Sequence, residues 1–214
     1  DAYFLRGSAE LELGDYESAK ADFDKAISMD PKNYDRLIEI YEALADYGYR
    51  EVGQEYLQNV LNTAKQLDAY DSGRIYYYLG DYQKAYLALE EAKGKGGVDS
   101  YLYLGKAYAA TGDYNYASSV YSNYLSKQGP DAEIYNQLGL CEMAKKDYQK
   151  ALEAFQAGKQ IEGNSLMQTL SFNEIVAYEY LQDYQKAAVL LKAYLQNYPD
   201  DQAAIREQQF LSTR

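Results

Sequence analysis

A small residue followed four places later by a large apolar one recurs through the chain: Ala19 and Phe23, Gly53 and Leu57, Ala85 and Leu89, Ala117 and Tyr121, Ala151 and Phe155, Ala187 and Leu191. Four residues is just over one helical turn, so both members of each pair share one helix face. Gln83, Lys84, Gln149, Lys150, Gln185 and Lys186 fall on the other face and read as solvated surface. The pattern predicts a series of amphipathic helices. A common phrase opens most of them. DYQKA stands at 81–85, 147–151 and 183–187, and GDYESA at 14–19 and GDYNYA at 112–117 are variants of it. Successive alanines of the phrase are 66, 32, 34 and 36 residues apart, and Gly53 in YREVGQEYL divides the first gap in two. The chain is therefore written as six units of 32 to 36 residues.

The phrase has a turn in it. Gly14, Gly48, Gly80 and Gly112 stand where one helix has to stop, and a left-handed residue there favours glycine. Lys146 and Gln182 replace glycine in two units, at a cost of roughly 1 kcal/mol each. Asp15, Asp81, Asp113, Asp147 and Asp183 come next, as N-caps of a second helix. The tyrosine after each aspartate is expected to pack back over the first helix. The second-helix alanines permit close approach, so a leucine at Ala85 or Ala151 would overpack the contact by about 1–3 kcal/mol. Units end at Pro31, at Gly94, Gly96 and Gly97, at Gly129–Pro130, at Gly163 and at Pro199. GKGG at 94–97 lacks the frame of a phosphate loop and reads as a turn between units.

These residues resemble the tetratricopeptide repeat, a helix–turn–helix of about 34 residues with the signature W-x2-L-G-x2-Y…A-x3-F…P. The fourth unit carries it most fully in Tyr101, Leu104, Gly105, Tyr108, Ala117 and Tyr121. The first has Gly7, Ala19, Phe23, Ala26 and Pro31, and the fifth Tyr135, Leu138, Gly139, Ala151 and Phe155. The second and sixth depart from it, with Tyr41 and Ile175 where the small first-helix residue belongs. The resemblance implies an all-α, right-handed α-α superhelix of six helix pairs plus a closing helix, in one domain spanning 1–214. The expected repeats are approximately 1–32, 33–65, 66–97, 98–130, 131–164 and 167–200. A polar closing helix follows at 201–214.

Composition narrows the function. The chain carries 21 basic and 33 acidic residues, a formal charge of −12, which disfavours phosphate backbones and anionic membrane surfaces as partners. Histidine is absent, which removes the commonest general base and metal ligand. No metal, cofactor or catalytic residue is expected. Cys141, the single cysteine, reads as a buried filler within a helix. A carboxylate-only hydrolase would need a close acid pair in a pocket, and the sequence singles out no such pair. The chain begins at Asp1, already close to a helical pattern, so an upstream segment is expected to precede it. With the repeat style, which resembles tetratricopeptide lipoproteins of Gram-positive bacteria, this favours an extracytoplasmic location.

Tyrosine is over-represented, at 27 residues. Tyr16, Tyr76, Tyr82, Tyr108, Tyr114, Tyr148, Tyr178 and Tyr184 fill positions where the repeat takes an aromatic for packing. The family resemblance implies that first helices line a concave face on which an extended peptide binds. It places Tyr70, Arg74, Tyr77, Tyr103, Lys106, Asn136, Asn173 and Tyr180 there. Arg74 and Lys106, as neighbours from successive units, are expected to receive a carboxylate. The family's clamp for a C-terminal carboxylate is not reproduced, since Phe4, Ser8, Ile38 and Glu42 stand at its positions. The expected function is non-catalytic protein or peptide binding. Carbohydrate or cell-wall-fragment binding through groove tyrosines, and self-association of the chain, are the alternatives.

Overall fold

The computed structural model describes residues 2–93, 95 and 97–213. Among them are thirteen α-helices and no strand. They fall as six antiparallel pairs and a last helix: α1 (Ala2–Glu12) with α2 (Tyr16–Met29), α3 (Tyr34–Asp46) with α4 (Arg50–Thr63), α5 (Ala69–Tyr78) with α6 (Tyr82–Ala92), α7 (Gly97–Ala110) with α8 (Tyr114–Gln128), α9 (Ala132–Ala144) with α10 (Tyr148–Lys159), α11 (Met167–Tyr180) with α12 (Tyr184–Asn197), and α13 (Gln202–Leu211). Gly94 and Gly96 of the GKGG turn lie outside the described residues, and α7 starts at Gly97. The helices gather into two compact units, Asp1–Lys95 and Gly96–Arg214.

The repeated aspartate has two jobs at once. Its backbone N–H closes the first helix by donating to a carbonyl five residues earlier, as from Asp147 to Glu142 (2.9 Å) and from Asp81 to Tyr76 (2.9 Å). Its carboxylate then accepts the N–H three residues ahead and caps the second helix: Asp15 from Ser18, Asp81 from Lys84, Asp113 from Tyr116, Asp147 from Lys150, Asp183 from Lys186. The residue before it turns left-handed. Glycine is present at 14, 48, 80 and 112, and Lys146 (φ 64°) and Gln182 (φ 63°) adopt the same state despite their side chains. Only the second turn lacks the aspartate, and α4 has no side-chain cap at Tyr49.

Packing between paired helices rests on a void at one position filled by a ring from the other. Phe23, Tyr121 and Phe155 are wholly buried, and each lies against the glycine of its partner helix: Gly7, Gly105 and Gly139. A methyl group added at Gly105 or Gly139 would run into the ring. The second pair reverses the arrangement. Tyr41 supplies the bulk from the first helix, Gly53 replaces the usual alanine, and a Cβ at Gly53 would stand 2.9 Å from the Tyr41 ring. Leu57 then suffices where the first, fourth and fifth pairs use an aromatic. In the sixth pair Ile175 is balanced by Leu191, both buried in one cluster with Ala187. The two departures from the repeat signature are thus exchanges of volume across the same contact.

Three of the turn tyrosines also meet a ring of the following pair. Tyr16 stacks on Tyr49 (centroids 4.1 Å apart), Tyr148 on Tyr180 (4.9 Å), and Tyr184 meets Phe210 edge-on (6.5 Å). Tyr82 has its ring 5.7 Å from Tyr77 of its own pair.

Candidate binding surface

In the first unit the expected groove residues Tyr70, Arg74 and Tyr77 stand on α5. Arg74 is buried, with 7% of its surface exposed. Its guanidinium donates to Asp35 of α3 (2.5 Å) and to Asp71 of α5 (2.5 Å), and Tyr70 covers it at 4.3 Å. The carboxylate Arg74 was expected to receive is therefore supplied by the chain itself, because two acids of adjacent first helices converge on it. Burial outweighs the arginine at Asp71 and leaves that carboxyl above the ordinary range. Tyr77 is half-buried and sits edge-on to Tyr78 at 5.4 Å. It lines a cavity of about 280 Å³ together with Tyr41, Glu42, Asp46, Arg50 and Tyr82.

In the second unit Tyr103 and Lys106 are half-buried on α7. The Lys106 ammonium is 3.6 Å from Glu133 of α9 and 6.0 Å from the centre of the Tyr103 ring. Asn136 of α9 is buried and accepts a hydrogen bond (2.9 Å) from the side-chain amide of Asn173 on α11. The two asparagines join successive first helices. Tyr180 ends α11 with 56% of its surface exposed. Arg74 belongs to the first unit and Lys106 to the second, and each has its own acidic partners.

Three matches to models described as tetratricopeptide repeat span residues 1–33, 102–165 and 172–201, together more than half of the chain. The chain belongs to the tetratricopeptide-repeat family. No curated protein matches it. Solved structures of similar fold include PilW, titled a widely conserved type IV pilus biogenesis factor (16% identity, 98% of this chain and 96% of that one covered, TM-score 0.68). PilF of Pseudomonas aeruginosa is also similar (18% identity, 100% and 97% covered, TM-score 0.58). So is YrrB, titled a TPR protein with an unusual peptide-binding site (20% identity, 87% and 97% covered, TM-score 0.57). As a tetratricopeptide-repeat protein the chain is of an all-α helical-repeat class whose members are generally protein-interaction scaffolds.

Within this tetratricopeptide-repeat chain, Cys141 is buried between repeats and its thiol is pushed up to about 12, chiefly by that burial, so no thiolate forms near neutral pH. Most buried acids are matched by a cation: Asp22 by Arg6, Glu142 by Lys145, Glu174 by Lys159. Sequence reading missed these ties, although Arg74 and Asp71, and Lys145 and Glu142, are three apart on one helix and so were legible as neighbours. It also missed one acid pair. Glu179 of α11 and Glu207 of α13 lie close enough that Glu207 adds to the upward shift of the Glu179 carboxyl. They line a cavity of about 500 Å³ with Val176, Tyr180, Tyr184 and Phe210. Twenty-eight residues separate the two acids, less than the repeat length, so no periodicity pointed to them.

Proposed function

We propose that this chain binds an extended segment of a partner protein along the faces of its first helices, without catalysis. The observation that carries the reading is a pair of aromatic-lined cavities at the C-terminal ends of first helices, one within each unit. Tyr77 with Tyr41, Tyr78 and Tyr82 borders the first, and Tyr180 with Tyr184 and Phe210 borders the second. Aromatic rings on rigid helices bury much surface on binding and lose little entropy in doing so. Arg74 and Asn136 serve as ties between first helices in this reading, and Tyr77, Tyr103, Lys106, Asn173 and Tyr180 as contact residues. The family membership supports it, as does the likeness to YrrB, a TPR protein with an unusual peptide-binding site.

The test is a peptide array probed with the purified chain, followed by titration of the peptides it retains. Tyr77→Ala and Tyr180→Ala should each weaken binding about tenfold, the loss of an aromatic anchor. Retained peptides that bind both variants as tightly as the parent would end the proposal. Binding to a glycan array, lost with the same substitutions, would instead favour the carbohydrate alternative.

A further inference from the structure

The cavity bounded by α11, α12 and α13 has a composition that selects a ligand. Its walls are Tyr180, Tyr184, Phe210 and Val176, and its polar groups are two carboxyls, Glu179 and Glu207. Oε1 of Glu179 is closed off from solvent and accepts no hydrogen bond. Buried oxygens of Glu10 and Glu142 also lack a donor, but those two groups have Arg6 and Lys145 within ion-pair range. No lysine or arginine among the described residues pairs with Glu179 or Glu207. Two carboxylates in contact repel unless a proton or a cation lies with them. Accordingly burial, and then Glu207, raise the Glu179 carboxyl to about 7. Aromatic faces beside a pair of carboxylates make a cage for an organic cation.

We propose that this cavity receives a basic side chain, the ammonium of a lysine or the guanidinium of an arginine, borne by a peptide. The cation lies between Glu179 and Glu207 and its aliphatic stem runs along Tyr180, Tyr184 and Phe210. This rests on the peptide-binding reading above and assigns the chemistry of one of its contacts. The charge of −12 concentrates cationic segments near the surface in the same sense.

Amide shifts of the full chain, followed by two-dimensional NMR, test it with Nα-acetyl-lysine amide, Nα-acetyl-arginine amide, Nα-acetyl-norleucine amide and n-butylammonium as probes. The lysine or arginine probe should saturate shifts at Glu179, Tyr180, Tyr184 and Glu207 at roughly millimolar concentration. Norleucine should not. The double variant Glu179→Gln, Glu207→Gln keeps the shape and should weaken the basic probe at least tenfold. Equal binding of norleucine, no saturable shift, or binding of n-butylammonium alone would each overturn the assignment. So would cleavage of a peptide that depends on the two glutamates. Peptides that bind other first-helix residues while this cavity stays silent would defeat this inference and leave the broader reading intact. A basic probe that binds here while no peptide binds the chain would do the reverse.

Discussion

The first helices of the third and sixth pairs handle buried charge in opposite ways. On α5, Arg74 is enclosed by Asp35, Asp71 and the Tyr70 ring, and its charge is answered within the first unit. On α11, Glu179 meets a second carboxylate, Glu207, and no cation of the described chain. Both sites combine tyrosine with acid, so composition alone does not separate them. The difference lies in whether the complementary charge is present. A charge matched inside the chain ties one repeat to the next and has little to offer a ligand. A charge left unmatched costs stability and is available to a partner that brings the missing cation.

The largest effect is expected where the match is complete. Arg74→Met should lower unfolding stability by about 3 kcal/mol in urea denaturation, because Asp71 is left enclosed without its cation. A loss under 1 kcal/mol would mean that the cluster relaxes into solvent, and the contrast with α11 would lose its basis. At the unmatched site the sign reverses. The folded chain holds a proton on Glu179 that the unfolded chain releases as pH rises above 4.5, so this group's contribution falls between about pH 4.5 and about 7. Glu179→Gln should therefore match the parent at pH 4 and exceed it by about 1 kcal/mol at pH 8, allowing for partial exposure. Parallel pH profiles for parent and variant would refute the repulsion. Asp22 and Asp201 act in the other direction. The Arg6 and Tyr194 side chains respectively lower their carboxyls, and the stability they contribute is lost on acidification.

Two smaller changes sharpen the same contrast. Glu207→Arg supplies α13 with the cation that α11 lacks. It should raise stability at pH 8 by roughly 0.5–1 kcal/mol and abolish binding of Nα-acetyl-lysine amide. A stabilised variant that still binds the probe would place the ligand elsewhere. Lys106→Ala should cost less than about 0.5 kcal/mol, since the pair with Glu133 is 3.6 Å long and partly exposed. A larger loss by thermal unfolding would make Lys106 a tie of the Arg74 kind.

The turn chemistry was readable in the residues because it is local. The Asp147 carboxylate reaches an N–H three positions ahead and its own N–H a carbonyl five positions behind, with no other part of the chain involved. The small and large positions were readable for a similar reason, as Ala151 and Phe155 lie one turn apart on one face. The binding surface was less so. Arg74 was legible as an inward cation, but Asp35, which answers it, stands 39 residues earlier. Asn136 and Asn173 were both placed on first helices, yet their hydrogen bond depends on the stagger between α9 and α11. The Tyr41 and Gly53 exchange looked like two separate departures until the helices were seen in contact.

By itself the sequence determined the six hairpins, their turns and caps, and the family, since these follow from periodic volume and from hydrogen bonds within a few residues. Only the tertiary structure decided which charges are spent inside the chain and which are left for a partner. Ionic pairing is set by distances of a few ångströms between side chains a whole repeat apart, and helix stacking, not spacing along the chain, brings Asp35 to Arg74 and Glu207 to Glu179.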